Sequence, residues 1–554
     1  MSQIIKDDAD IIIIGAGLAG LVAATEAVAA GKKIIIVEQE PENSLGGQAF
    51  WSLGGLFLIN TPEQRFFGIH DSRELAWQDW MGSANFDRPG DELPKKWAEA
   101  YLDFAAGEKR AWLHSLGIRF VRIVGWPERG GYLATGHGNS VPRFHIAWGT
   151  GPGVLEPFIE HIKIAQQKGL IKIYYRHRVT QLLIKNNVIT GVAGELLEES
   201  KIARGAKSSR TVIGDFSFNA QAVIITSGGI GGNHDLVRQY WPDRLGNPPK
   251  KLLSGVPDYV DGSMLKTANS IGAKLINMDR MWHYPEGLQN YDPIWSQHAI
   301  RILCGPSPLW LDAFGKRLPM PLYPGFDCLG ALTHINKTGH CHSWFLLNQL
   351  IIEKEFALSG SEQNPDITAK SFFELIKRAF SGPTEPVKKF QQSGIDFVSH
   401  HNIAELAQGM NKLVGENLID YAQLENEINA RDQQIISGFG KDAQINAIRC
   451  ARRYLGDRII RIASIDKLTN PKHGPLIAVR LSIMTRKTLG GLATDLSGKV
   501  LQINGTPLAG LYAAGEVTGF GGGGMHGYRA LEGTFLGGCL FSGKIAGKAA
   551  AKEI

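Results

Sequence analysis

Cysteine is scarce in this chain: Cys304, Cys328, Cys341, Cys450 and Cys539 are scattered through 554 residues. No two stand at CxxC spacing and none begins a CxxCH motif, which argues against metal and haem chemistry. His340-Cys341-His342 comes nearest to a ligand set, but alternate residues on one strand or loop rarely hold a metal alone. Scattered cysteines in odd number are the usage of a reducing compartment. Long uncharged apolar runs are missing, and so are a basic leader and a twin-arginine pair. The N-terminus is acidic instead, with Asp7, Asp8 and Asp10. The expectation is a cytoplasmic protein without a transmembrane segment. Blocks of Lys and Arg interleaved with aromatics are also absent, and a net charge of +6 is small for this length. Nucleic acid is therefore excluded as an expected partner.

Glycine, by contrast, is abundant at 66 residues, with local groups at Gly228, Gly229, Gly231 and Gly232 and at Gly521 to Gly524. Such groups belong where backbone must approach something closely, as at a buried cofactor. With 44% apolar and 20% charged residues the chain has material for two or three packed units.

Ile11 to Ile14 reads as a buried parallel strand, residues 18 to 30 as a helix closed by Gly31, and Ile34 to Val37 as the next buried strand. Together they make one right-handed βαβ unit. Between strand and helix lies Gly15-Ala16-Gly17-Leu18-Ala19-Gly20. Gly15 serves the tight turn, Gly17 the close approach of a pyrophosphate, and Gly20 the packing of helix on strand. The helix N-terminus offers its unpaired N–H groups to phosphate. Glu38 ends the second strand, where its carboxylate can accept ribose hydroxyls. This unit binds FAD or NAD.

The following residues favour FAD. Glu38-Gln39-Glu40 leads into Ser44-Leu45-Gly46-Gly47-Gln48 and then Ser52-Leu53-Gly54-Gly55, two Gly-Gly pairs suited to a long extended cofactor. Thr226-Ser227-Gly228 at a strand end and Gly510-Leu511-Tyr512-Ala513-Ala514-Gly515-Glu516 add further contacts. Val179 and Gly533-Thr534 complete the expected cofactor set. No second complete GxGxxG with its acid is present, which argues against a paired NAD(P)H site.

Helix is expected from about Ser72 to Gly117, with Trp77, Trp80, Trp97 and Trp112 in its packing. Strands are expected at Ile171–Tyr175, Val179–Ile184, Val188–Val192, Val212–Phe218 and Ala222–Thr226, with a hairpin loop at 195–210. From residue 280 prolines break the periodicity, and helices return only from about Ser343. The fold class is α/β: a discontinuous Rossmann-like FAD-binding domain, residues 1–280 and 470–554, carrying an inserted α+β capping domain, residues 281–469.

At 11–55, 226–233, 486–516 and 526–538 the chain resembles the flavoprotein superfamily of fumarate reductases, succinate dehydrogenase flavoproteins and 3-ketosteroid dehydrogenases. The resemblance implies hydride transfer between flavin N5 and a CH–CH bond beside a carbonyl, under a cap that holds the substrate. It also implies a small-molecule substrate, a steroid-like ketone or unsaturated acid, and a separate electron acceptor or donor. Arg486 and Lys487 of Arg486-Lys487-Thr488-Leu489-Gly490-Gly491 stand where fumarate reductases carry histidines. His526-Gly527-Tyr528-Arg529 resembles both a carboxylate-clamping segment, through Arg529, and a carbonyl-polarising one, through Tyr528. Glu532 occupies a position where ketosteroid enzymes have glycine. Tyr323 is the nearest cap base, and no Thr-Arg-Asp motif is present. His145 and Thr150 match substrate-lining positions, with Tyr132, His137, His283 and Tyr284 as weaker candidates. The first Gly-Gly loop has no histidine for a flavin bond, which implies non-covalent FAD. The activity most like this pattern is 3-ketosteroid dehydrogenation. The alternatives are reduction of small unsaturated carboxylates, with Arg529 and Lys487 as clamp, and a non-catalytic flavin-binding module.

Overall fold

The computed structural model describes residues 4–130, 138–380 and 382–554, so the candidates Tyr132 and His137 lie outside the described residues. The Ile5–Ile14 strand pairs in parallel with Ile34–Val37 on one side and Val212–Ile225 on the other. Ile171–Tyr174 extends the sheet beyond Ile34–Val37, and Pro507–Ala513 joins in parallel through Leu511 opposite Val223. The β-branched runs Ile11–Ile14 and Ile34–Val37 are buried on both faces, as strands covered by helices must be. Val212–Phe218 and Ala222–Thr226, expected as two strands, form one strand, Val212–Ile225, because Asn219–Gln221 stays in register with Asp8–Asp10. This sheet fixes the Leu18–Ala29 helix, which the final helix, Thr534–Glu553, crosses closely. A Cβ on Gly543 or Gly547 would stand 2.5 or 2.4 Å from the carbonyl oxygens of Ala19 and Ala23, so only glycine permits that approach.

The long helical stretch is broken into Arg73–Ala84, Glu92–Ala106 and Lys109–Ser115. Ser72 caps the first through its side chain, and Asn85 ends it in the left-handed region. Trp80 and Trp97 are fully buried between these helices and the glycine-rich C-terminal segment.

A second sheet forms the cap. Its central strand is Leu476–Thr488, which pairs antiparallel with Met281–Gln289, His342–Leu347 and Phe397–His400. Its first half lies deep in the cap, and its last residues, Arg486 and Lys487, reach the cavity described below. Helix appears before Ser343, at Cys328–Lys337, where Asp327 accepts hydrogen bonds from the Leu329 and Gly330 N–H groups. Ser343 itself lies in a strand. The proline-rich texture masks this helix start, which comes only after Pro324, the last of the closely spaced prolines at 306–324. Among the described residues no helix is long and apolar enough to cross a membrane.

Candidate functional site

A single cavity runs from the first glycine turn to the cap. At its near end Gly15 has φ +102°, and a Cβ on Gly20 would stand 2.2 Å from the Gly15 carbonyl oxygen. A Cβ built on Gly17 would meet nothing within 4 Å, so the backbone there is bare to the cavity. The second glycine loop docks on the first: Gly46 N–H donates to the Ala16 carbonyl at 2.9 Å. Glu38 accepts from Ala16 N–H at 2.7 Å and Glu40 N–H at 2.9 Å. Burial pushes its carboxyl above the ordinary value, against those two donors. Two oxygens with about four acceptor sites leave capacity for ribose hydroxyls.

The helices Leu18–Ala29 and Thr534–Glu553 begin at Gly17 and Gly533, neither of which supplies a side-chain cap. Gly17, Leu18, Gly533, Phe535 and Leu536 line the cavity, so both positive helix ends open on it. This donor set fits FAD: the first terminus suits a pyrophosphate and the second suits negative charge on the flavin. Of the expected cofactor residues, Gly15, Leu18, Ala19, Gln39, Ser44, Gly46, Gly47, Ser52, Leu53, Gly54 and Gly55 line this cavity. Val179, Thr226, Ser227, Gly228 and Gly515 do so as well. Ala16 and Gly20 shape the turn from behind. Thr534 is fully buried, donating to the Leu531 carbonyl and bonded to His526 Nε2.

Midway along the wall, Lys487 Nζ donates to Gln48 Oε1 at 2.6 Å, and Gln48 Nε2 donates to Glu516 Oε2 at 2.8 Å. Glu516 Oε1 accepts the Thr488 N–H at 2.9 Å. The ammonium and carboxylate are 3.9 Å apart. Burial lowers the Lys487 pKa, and Glu516 opposes that shift. Arg486, also lining the cavity, donates to the Gly255 carbonyl, and burial lowers its pKa too.

At the cap end Tyr284, Arg301, Leu303, Ser359 and Glu532 form the wall. Arg301 lies 3.6 Å over the Tyr284 ring and donates to Glu532 at 2.5 Å and to the Cys328 sulfur at 3.0 Å. Glu286 and Glu128 stand 3.5 and 3.6 Å from the same guanidinium. Burial raises the carboxyls of Glu128 and Glu286, with Arg301 pulling against it. Burial also drives the Tyr284 phenol well above its ordinary value, so it is a neutral hydrogen-bond donor.

Four expected site residues are placed elsewhere. Tyr528 donates to Asp87 at 3.0 Å, with Arg280 4.2 Å and Arg244 4.6 Å over its ring. Arg529 turns to Asp327 at 3.2 Å. Tyr323 packs on Phe326 in the cap. His145 is bonded to Thr61 Oγ1 and the Arg143 carbonyl, and burial lowers its pKa to about 4. None of the four is among the residues lining the cavity. Thr150 instead bonds Thr368, and His283 stacks on Trp241. The cavity brings together Arg486 and Lys487 with Tyr284, Arg301 and Glu532. In the sequence Tyr284 is a weaker candidate, Glu532 a departure from the ketosteroid pattern, and Arg301 carries no motif. No spacing links Arg301 to Glu532 across 231 residues, so no motif could have found them.

A family described as FAD binding domain matches residues 10–536. A KsdD-like steroid dehydrogenase of Mycobacterium tuberculosis (strain CDC 1551 / Oshkosh) is 58% identical over 99% of this chain and 96% of its own. A fumarate reductase (cytochrome) of Shewanella frigidimarina is 23% identical over 99% of this chain and 77% of its own. In structure, 3-ketosteroid Δ1-dehydrogenase from Sterolibacterium denitrificans, in complex with 1,4-androstadiene-3,17-dione, aligns with a TM-score of 0.68. That alignment covers 99% of this chain and 100% of the other at 15% identity, a likeness of fold.

Proposed function

The chain belongs to the FAD binding domain family and is a FAD-dependent oxidoreductase, and from that premise we propose that it dehydrogenates a steroid ketone at a CH–CH bond beside the carbonyl. One observation carries the reading. Residues of the glycine turn and Tyr284, Arg301 and Glu532 under the cap line one and the same cavity. The steroid assignment is supported by the relative at 58% identity, whose name carries that substrate class.

Gly17, Glu38, Gly46, Gln48 and Glu516 would hold FAD without a covalent bond, and bound FAD supplies the two-electron acceptor. Tyr284, kept neutral by burial, donates a hydrogen bond to the ketone oxygen and stabilises the negative charge that develops there. As one carbon gives up its hydride, the neighbouring carbon gives up a proton to the Glu532 carboxylate. Arg301 orients Glu532 for that task. Arg486 and Lys487 add positive charge along the same wall. The electrons then leave to a separate acceptor. Five unpaired cysteines support a reducing, cytoplasmic setting.

The test is anaerobic titration with a saturated 3-ketosteroid, which is expected to bleach the oxidised flavin band. An unchanged spectrum with steroid, together with reoxidation of chemically reduced enzyme by a small enoate, would sink the steroid reading in favour of carboxylate reduction. Glu532→Gln is expected to retain FAD and to slow bleaching by about 10²–10⁴-fold, the usual worth of a positioned base.

A further inference from the structure

Seven large apolar side chains are exposed on three neighbouring elements away from the cavity. On the short helix Pro62–Phe66, Phe66 is 78% exposed. On Phe372–Phe380, Phe372 and Phe373 are 69% and 75% exposed, and Ile376 also faces solvent. On Leu455–Ile460, Leu455, Ile459 and Ile460 are exposed as well. The last two helices pack on one another. The first is joined to them where the Phe67 ring meets that of Tyr454, 5.8 Å between centroids. These elements therefore form one apolar face, of a kind that marks an interaction site when it is rimmed by polar groups.

The rim is mainly cationic. Arg65, Lys377, Arg453 and Arg458 come from the same three elements or the residues next to them. Of the acids on these elements, Glu374 is paired with Lys377 at 3.6 Å, Glu63 with Arg110 at 2.6 Å, and Asp457 is buried. Helix Phe372–Phe380 sets Phe372, Phe373 and Ile376 beside Glu374 and Lys377 on its exposed side, while Arg378 turns inward to Asp366 at 3.3 Å. We propose that this face docks on the surface of an anionic lipid bilayer, with the aromatic and aliphatic tips in the headgroup region and the cations on acidic headgroups. A second copy of the chain fits less well. A two-fold interface sets the same patch against itself, which would oppose one ring of cations to another.

The face also has a covalent route to the cavity. Ser359 lines the cavity, and Ser361 donates to the Phe50 carbonyl of the second glycine loop. The chain then passes through the Pro365–Thr368 helix into Phe372. A bilayer-borne apolar molecule would thus meet the protein beside the segment that walls the cavity. The docking surface stands apart from the substrate reading, since its evidence is exposure and charge alone.

The experiment is co-sedimentation of the FAD-loaded protein with vesicles of phosphatidylglycerol and phosphatidylcholine, and with phosphatidylcholine alone. Wild type is expected to pellet with the anionic vesicles at low salt and to be released by added sodium chloride. The Phe372→Ser/Phe373→Ser variant should reduce the bound fraction about tenfold or more, because it removes the apolar anchors. Lys377→Glu/Arg458→Glu should erase the preference for anionic lipid. Unchanged flavin absorbance in both variants shows that they are folded. Wild type left in the supernatant at low salt overturns the proposal, as does a Phe372→Ser/Phe373→Ser variant that pellets like wild type. A wild-type dimer that this variant dissolves, without vesicle binding, replaces the bilayer by a second copy. Pelleting is read on protein mass, so a missing steroid response leaves this outcome unaffected.

Discussion

The two ends of the cavity are built by opposite means. At the glycine end, grip comes from backbone: bare N–H groups, an open Gly17, and loops so close that a Cβ on Gly20 would overlap a carbonyl. At the cap end it comes from side chains: Arg301 gathers Glu532, Glu286, Glu128 and Cys328 around itself and covers Tyr284. Backbone grip tolerates no added atom but asks little of charge. Side-chain grip tolerates changes of shape but depends on a balance of buried charges. One end therefore fails by steric overlap and the other by electrostatics.

Gly20→Val should give the largest effect. Its Cβ would stand 2.2 Å from the Gly15 carbonyl oxygen and 2.7 Å from Thr226 Oγ1, so protein purified from this variant should show no flavin band. A yellow protein with a normal flavin-to-protein ratio would break the steric half of the comparison.

Acid should act next. Burial lowers His145 to about 4 and His283 and His526 to about 3. An unfolded histidine titrates near 6.5, so below that pH the unfolded chain binds more protons than the folded one. Stability from these groups is present above pH 6.5 and is lost as pH falls through about 4 for His145 and about 3 for His283 and His526. At pH 5 the loss is about 2 kcal/mol per histidine, roughly 6 kcal/mol for the three. Denaturant unfolding at pH 7.5 and pH 5 measures it, and equal midpoints would refute it. His145 lies in the Phe144–Ala147 strand, paired opposite Leu56, and His283 in the cap sheet. Flavin release and the global transition, followed together, show which end yields first.

Arg301→Met should cost about 3–5 kcal/mol of stability, because it strands Glu532 and its neighbours without their cation. A gap to wild type that narrows as pH falls, as Glu128 and Glu286 with their raised carboxyls take up protons, separates this electrostatic failure from simple loss of packing. Tyr528→Phe should be the mildest change. It deletes one hydrogen bond to Asp87, should cost about 1 kcal/mol, and should leave flavin bleaching within about twofold of wild type. A collapse of turnover in this variant would move the chemistry away from Tyr284 and Glu532.

Legibility in the sequence follows the same division. The Gly15–Glu38 unit could be read because steric demands of backbone select a residue type at fixed spacing. The second glycine loop and Gly515-Glu516 were readable for that reason. Arg486 and Lys487 stand out in the sequence only through the resemblance of Arg486–Gly491 to a family segment, and the structure places both on the cavity wall. Tyr528 and Arg529 sit in an equally suggestive motif, yet the fold turns their side chains to Asp87 and Asp327, which lie 441 and 202 residues away in sequence. Partners that distant leave no local trace, and the Arg301–Glu532 pair is hidden for the same reason. The cap helix Cys328–Lys337 was missed because its capping Asp327 follows a run of prolines that masks periodicity.

The Leu476–Thr488 strand has a consequence for protein engineering. It follows the expected cap boundary in sequence but supplies the spine of the cap sheet, then delivers Arg486 and Lys487 to the cofactor cavity. A cap exchanged with a relative as a cassette of residues 281–469 would leave its spine behind. A functional chimera has to take residues 476–488 from the same parent as the cap, and with them the two cations at the cavity.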